Sequence, residues 1–223
     1  GKIALKIYPM FLFLLLFIDK RWKSMGLATI VGGGVTVLTF PLFHGGIWQN
    51  IREFGAALLA FGGGYVEEYN NVYFCVGLSS LIRMPFMIWN NGKIPKEIPV
   101  ILIYVILGTA LTLWSIWNLR KESVFWKKVL VIIALMVFLI PNSYMYNLMY
   151  LLPAIIIFLV AKEGKDKKSD VRYLIILGAL LIPKAYYYII PQFFIGIQIV
   201  IDGCLLLALI LLYNIADKET RKC

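Results

Sequence analysis

The chain has 223 residues, of which 61% are hydrophobic and only 15% are charged, and its mean hydropathy is +0.83. These values lie outside the range of soluble domains and indicate an integral membrane protein with room for one helical bundle. The net charge of +10 resides mostly in gaps between apolar runs, which is typical of membrane topology signals rather than of nucleic-acid binding.

Seven apolar runs predict an all-α, polytopic membrane bundle that forms a single domain over residues 1–223. A bilayer core about 30 Å thick needs roughly 20 apolar residues to cross as a helix. The predicted transmembrane helices are, in chain order, Ile3–Ile18, Ser24–Phe43, Ile98–Trp117, Val129–Ile140, Leu148–Val160, Tyr173–Ile190 and Phe193–Asn214. Because the first run starts at Gly1 without an initiator Met, we expect the chain to be the C-terminal part of a longer protein.

The fourth and fifth runs are too short to stand alone and are interpreted as a hairpin. The turn-rich stretch Pro141–Asn147 lies between them. Lysines precede the fourth run and follow the fifth, so both outer ends of the hairpin are basic. Basic residues are heavy in every second gap, at 20–23, 120–128, 162–172 and 218–222, which assigns these gaps to the cytoplasm. The protein is therefore predicted to be a multi-pass protein of the cell membrane with a cytoplasmic C-terminus.

The first outer segment, residues 44–97, is too long for a plain connection and too apolar for a soluble domain. We expect it to form interfacial amphipathic helices that lie on or dip into the outer leaflet, joined by a hinge at Gly62–Gly64. A lone histidine, His44, and an acidic residue, Glu67, fall in this segment and are candidates for lining a substrate site.

Ionisable residues in or near the apolar runs are the strongest pointers to function, because a charge at membrane depth is costly unless it has a partner or a polar cavity. Lys6 and Lys184 lie near predicted outer helix ends, and Asp202 lies near the middle of the seventh run. Lys184 and Asp202 could pair and fix the register of adjacent helices, or Lys184 could bind an anion. Arg83 suits phosphate, since a guanidinium forms two parallel hydrogen bonds with it.

Three motifs taken together resemble the polyprenyl-phosphate-sugar-dependent glycosyltransferases of the GT-C superfamily, in particular glycosyltransferase family 87. The first is Lys6–Pro9 (Lys-Ile-Tyr-Pro), which opens an apolar run that ends in the basic, Trp-containing turn Asp19–Lys23. The second is the stretch from Asn70 to Arg83, and the third is the Pro-, Ser- and Tyr-containing hairpin Ile140–Pro153. The Asn-to-Arg spacing does not superpose cleanly on that of the family.

The resemblance implies a GT-C-like fold and inverting transfer of a mannose-like hexose from a polyprenyl phosphate to a lipid or glycan acceptor on the outer face. It places the catalytic aspartate, the general base, upstream of Gly1, and it implies membrane lipids as further partners. The candidates for binding the donor phosphate are Lys6, Arg83 and Lys184. The candidates for lining the substrate site are Asn142, Tyr144, Tyr146 and Asn147, together with His44 and Glu67.

Two other classes fit the residues. A transporter or flippase also uses Pro-broken helices and buried charges, although the seven runs show no internal repeat. An O-antigen polymerase or ligase also acts on polyprenyl-linked sugars, but usually carries more arginines in its outer loop.

No metal site is predicted, since Cys75, Cys204 and Cys223 lie far apart without ligand spacing. No cofactor is predicted either, although a divalent cation is compatible with the chemistry.

Overall fold

The computed structural model describes residues 11–39, 45–46, 48–53, 55–56, 75–90, 99–140, 143–161, 167–182, 188–190 and 195–220. The chain divides into two compact units, Gly1–Glu68 and Tyr69–Cys223. Nearly all described residues are helical, which confirms the predicted all-α class and is consistent with a membrane bundle.

Within the described residues of the first unit, a tight basic turn joins two α-helices. Helix α1 is Phe13–Ile18 and helix α2 is Trp22–Thr39. Lys20 has a φ of 55°, a left-handed conformation that reverses the chain between the two helices. The Phe17 and Trp22 rings pack edge to face across this turn at 5.3 Å. Residues 48–53 are also helical, within the segment that the sequence assigns to the outer interface.

The second unit contains six α-helices within its described residues, and they position the candidate site. They are α3 (Leu78–Trp89), α4 (Val100–Leu119), α5 (Phe125–Leu139), α6 (Leu151–Val160), α7 (Lys167–Leu181) and α8 (Ile197–Thr220), with a 3-10 helix, Met145–Tyr150, directly before α6. The predicted hairpin is present: α5 packs against α6, and the 3-10 helix forms part of the connection.

Helix α5 is the core of the second unit. Its residues from Trp126 to Leu139 are almost all buried, because α3, α4, α6 and α8 pack around it. A helix that is apolar on every side is typical of a position inside a bundle or in a membrane, and α5 is inside the bundle. Its C-terminal end is fixed to α4, where the Tyr104 hydroxyl donates a hydrogen bond to the carbonyl oxygen of Leu139.

Two of the described helices are long and apolar enough to cross a membrane, Val100–Leu119 and, within α8, Gln198–Ile215. Helix α4 exposes large aliphatic side chains along much of its length, among them Ile101, Val105 and Ile106. Such a surface is expected where a helix contacts lipid. Shorter apolar helices accompany them, and the count of seven spans stays a prediction.

The sixth predicted run differs from the structure at its end. The sequence predicts a helix through to Ile190, whereas α7 ends at Leu181 and Tyr188–Ile190 forms a short strand, β1. Strand β1 pairs antiparallel with β2, Ile195–Gly196, directly before α8. Pro183 explains the early end, because the residue before a proline is pushed out of the helical region. Aromatic and β-branched residues then favour the strand.

Candidate active site

The centre of the candidate site is a contact between the residues before α3 and the turn after α5. Cys75 and Tyr144 form an antiparallel backbone bridge, and the Val76 amide donates a 2.7 Å hydrogen bond to the carbonyl oxygen of Ser143. We call this region the junction and define it as Cys75–Gly77, Ser143–Asn147 and Arg83. It lies beside the C-terminal end of α5, since Gly77 approaches the carbonyl oxygens of Phe138 and Ile140.

Asn147 is held rigidly inside the junction. Its backbone amide donates a 2.8 Å hydrogen bond to the Tyr144 carbonyl, and its side-chain amide lies 3.4 Å from the Ser143 hydroxyl. Both Ser143 and Asn147 are fully buried. Because a buried polar group is stable only when it is hydrogen-bonded, these internal bonds fix the shape of the turn that carries Tyr144 and Tyr146.

Two tyrosines of the same turn form an aromatic platform at its surface. The rings of Tyr144 and Tyr146 stack nearly parallel, 5.6 Å apart at an angle of 11°. Tyr144 is half-buried, whereas Tyr146 is 55% exposed. The pair thus presents an apolar ring surface with two hydroxyls beside the buried amide of Asn147, an arrangement that can contact both the apolar and the polar faces of a sugar.

Arg83 brings positive charge to the junction. It lies on the buried face of α3, one turn after Ser79 and Ser80, and is only 8% exposed. Burial raises the pKa of the Cys75 thiol to about 12, and the nearby Arg83 guanidinium opposes that rise. Arg83 therefore interacts electrostatically with Cys75, whose backbone pairs with Tyr144.

Asp202 lies on the helix that packs behind the junction. It is fully buried in α8, which contacts α3, α5 and α7. The next residue, Gly203, lets the chain before α3 come close: a Cβ at Gly203 would lie 3.2 Å from the Val76 carbonyl oxygen and 3.0 Å from the Leu81 side chain. Asp202 is thus on the helix turn that supports the junction.

Arg83, Tyr144, Tyr146 and Asn147 all lie in the second unit, and their shared assignment to a substrate site stays a prediction. The other candidates lie outside the described residues, so their positions and the predicted pairing of Lys184 with Asp202 stay predictions: Lys6, His44, Glu67, Asn142 and Lys184.

Sequence reasoning missed a second buried polar group, between α4 and α8. The Asn118 amide donates a 2.7 Å hydrogen bond to the Asn214 side-chain oxygen, and the Asn214 amide donates to the Ser115 hydroxyl at 2.9 Å. Ser115 and Asn118 are three residues apart and therefore share a helix face. That spacing, inside an apolar run, was the available signal. Interhelical bonds of this kind fix how two apolar helices meet.

Comparison with known proteins decides the class of the chain. Residues 2–141 match the model of glycosyltransferase family 87. The chain belongs to glycosyltransferase family 87. No similar curated protein and no similar solved structure was found.

Membership of family 87 makes the protein a glycosyltransferase and favours this class over the transporter and polymerase readings. Together with its apolar helices, it also makes the chain a membrane protein. The matched range includes Arg83 and the end of α5 but stops before Tyr144. The turn that carries the tyrosines and Asn147 therefore enters the candidate site through the backbone contacts of Ser143 and Tyr144 with Val76 and Cys75, which lie inside the matched range.

Proposed function

We propose that this family 87 glycosyltransferase transfers a mannose-like hexose from a polyprenyl phosphate to a hydroxyl of a lipid or glycan acceptor on the outer face of the cell membrane. In this reaction the bond between the sugar C1 and the phosphate oxygen breaks, and a new bond joins C1 to the acceptor oxygen. The polyprenyl phosphate leaves with the bonding electron pair, and the acceptor proton passes to a general base.

The observation that carries the proposal is the buried guanidinium of Arg83 at the junction. A leaving phosphate gains negative charge as the glycosidic bond breaks, and a fixed cation with little water around it stabilises that charge strongly. Arg83 also offers planar, paired donors that match two phosphate oxygens. Lys6 and Lys184 remain further candidates for the same phosphate.

The turn after α5 provides the sugar side of the proposed site. Tyr144 and Tyr146 would contact the hexose ring, and the buried amide of Asn147 would orient a hydroxyl. Because Asn147 is tied to Ser143 and Tyr144, it loses little freedom on binding, which favours specific recognition. Asn142, which precedes Ser143, is proposed to add to the lining, and the assignment of His44 and Glu67 to substrate binding stays a proposal from the sequence.

A lipid-linked donor suits a site on the outer face. The distribution of basic residues favours a cytoplasmic position for the gap between α4 and α5, and this supports an outer position for α3 and the junction. Nucleotide sugars are not supplied there, whereas a prenyl chain can reach the site from within the bilayer between apolar helices. We therefore expect a multi-pass protein with a cytoplasmic C-terminus.

The donor class can be tested directly with the intact enzyme in proteoliposomes. Radiolabelled mannose is supplied either on a polyprenyl phosphate or on a nucleotide, together with a lipid extract as acceptor. We expect labelled product from the polyprenyl-linked donor alone. Transfer from the nucleotide sugar, with the lipid-linked sugar unused, would contradict the proposal. If the polyprenyl-linked donor is used, a series of polyprenyl-linked hexoses would define the sugar.

A further inference from the structure

We propose that a groove between the start of α5 and the end of α6 binds an acyl chain of an anionic membrane phospholipid, whose phosphate is held by the basic residues at 120–128. This site is separate from the junction and takes no part in sugar transfer. Phe125, at the groove, and Phe138, at the junction, are thirteen residues apart on α5, which corresponds to about 20 Å at 1.5 Å per residue.

The groove is an apolar cleft of about 500 Å³, within the size range of ligand-binding clefts. Aliphatic and aromatic side chains line it from both helices of the hairpin, and they include Val124, Phe125, Ile156, Ile157, Val160 and Ala161. Several of these are strongly exposed, and Val160 is 74% exposed. A contiguous apolar surface of this kind needs an apolar occupant.

The floor of the groove is rigid. Trp126 is buried and packs edge to face against Phe158 at 4.7 Å and against Tyr173 at 5.4 Å. These contacts tie α5, α6 and α7 together at this end of the unit. An acyl chain that enters the groove therefore meets a preformed surface, which reduces the entropic cost of ordering side chains on binding.

The charge beside the groove selects an anionic occupant. Four basic residues, Arg120, Lys121, Lys127 and Lys128, lie within nine positions, against the single carboxylate of Glu122. That carboxylate is turned to the backbone, where it accepts a 3.0 Å hydrogen bond from the Val124 amide. The Lys127 ammonium lies 5.6 Å from the Trp126 ring centre, directly beside the groove floor. Lys127 is itself buried, so the cations that a phosphate headgroup would meet beside the groove are Arg120, Lys121 and Lys128.

Lipid retention by the purified intact protein tests this proposal. Native mass spectrometry would compare phosphatidylglycerol with phosphatidylcholine of the same chains, each at equal concentration in detergent. We expect one phosphatidylglycerol to be retained at least fivefold more than phosphatidylcholine. Lys128→Gln should lower this retention about fivefold, which corresponds to about 1 kcal/mol for one cation at an anionic headgroup.

Val160→Trp should abolish retention by filling the groove, and since Val160 is largely exposed, the change leaves the core intact. Two controls, Ile175→Trp on α7 and Arg52→Gln in the first unit, alter an exposed apolar and an exposed basic residue that do not line the groove, and they should leave retention unchanged. Equal retention of both phospholipids, or full retention by Val160→Trp, would overturn the proposal. Selective retention of polyprenyl phosphate over phosphatidylglycerol would overturn it in favour of a donor site.

Discussion

A Cβ atom on Gly77 would lie 2.8 Å from the carbonyl oxygen of Phe138 and 3.0 Å from that of Ile140. Side chains do not tolerate such distances to a backbone oxygen, so only glycine allows the residues before α3 to reach the end of α5. The close approach at Gly77 is what lets Cys75 pair with Tyr144, and through that pair the structure joins Arg83 to the aromatic turn.

Gly77→Ala should therefore destabilise the second unit by about 1–3 kcal/mol, the usual cost of forcing atoms into a packed site. The measurement is the free energy of unfolding in mixed micelles. Gly108→Ala is the matched control, since its Cβ would meet only the Leu139 and Leu78 side chains, at 3.5 and 3.7 Å. Because alanine also favours the helix, that variant should be neutral or up to about 1 kcal/mol more stable. Equal effects of the two changes would show that the approach at Gly77 is not tight.

The asparagine pair between α4 and α8 should stabilise the bundle as a unit. Asn214→Ala removes the hydrogen bonds to Asn118 and Ser115 together and should cost about 1 kcal/mol, as interhelical polar contacts in membrane proteins do. Adding Asn118→Ala to that variant should cost little more, because its partner is already lost. Thr112→Val serves as control, since the Thr112 hydroxyl bonds the Gly108 carbonyl of its own helix. Strictly additive losses would refute the coupling.

Cys75 should be almost inert in the folded protein. Its pKa is raised from 9.0 to about 12, so at pH 8 its thiolate, the reactive form, is about 10³-fold scarcer than in the unfolded chain. The rate of alkylation by iodoacetamide, measured in a Cys204→Ser, Cys223→Ser background, should keep rising above pH 9 instead of levelling off. Because the folded state favours the neutral thiol, this residue's contribution to stability is complete below about pH 9 and is lost as the pH rises towards 12. Rapid labelling at pH 8 without denaturant would contradict the described burial.

The orientation of the chain can be tested at two exposed positions. Trp89, at the end of α3, is 87% exposed, and Lys121 is exposed just after the 20-residue helix α4. A membrane-impermeant maleimide should label Trp89→Cys in whole cells and Lys121→Cys only after the cells are broken open. The reverse result would place the junction in the cytoplasm, and the proposal of a lipid-linked donor would fail with it.

Local sequence signals were sufficient to predict several of the helices. Apolar runs bounded by basic residues or prolines indicate α4, the α5–α6 hairpin and most of α8. Arg83 and the turn around Tyr144 were also accessible, because an arginine near an apolar run and a polar break inside a hairpin are unusual. The sequence did not indicate that these two features meet, because Cys75 and Tyr144 are far apart in the chain and their contact depends on packing around α5.

Where the sequence prediction differs from the structure, a local conflict explains the difference. The sixth run is apolar to Ile190, and hydropathy alone does not register that Pro183 ends the helix and that Tyr188 to Ile190 prefer a strand. Asn118 and Asn214 escaped notice because each lies near the end of an apolar run, where polar residues are common. Only the packing of α4 against α8 makes them a pair.

The role of Arg83 is the most direct test of the account. Arg83→Gln, Arg83→Lys and the exposed control Arg52→Gln would be compared by kcat/KM for hexose transfer from the polyprenyl-linked donor, with thermal stability measured alongside. We expect Arg83→Gln to lower kcat/KM about 10²–10³-fold, as loss of one fixed donor to a developing anion does. Arg83→Lys should be partly active, because it keeps the charge without the paired donors, and Arg52→Gln should match the wild type. A stable Arg83→Gln enzyme with wild-type kcat/KM would contradict the account.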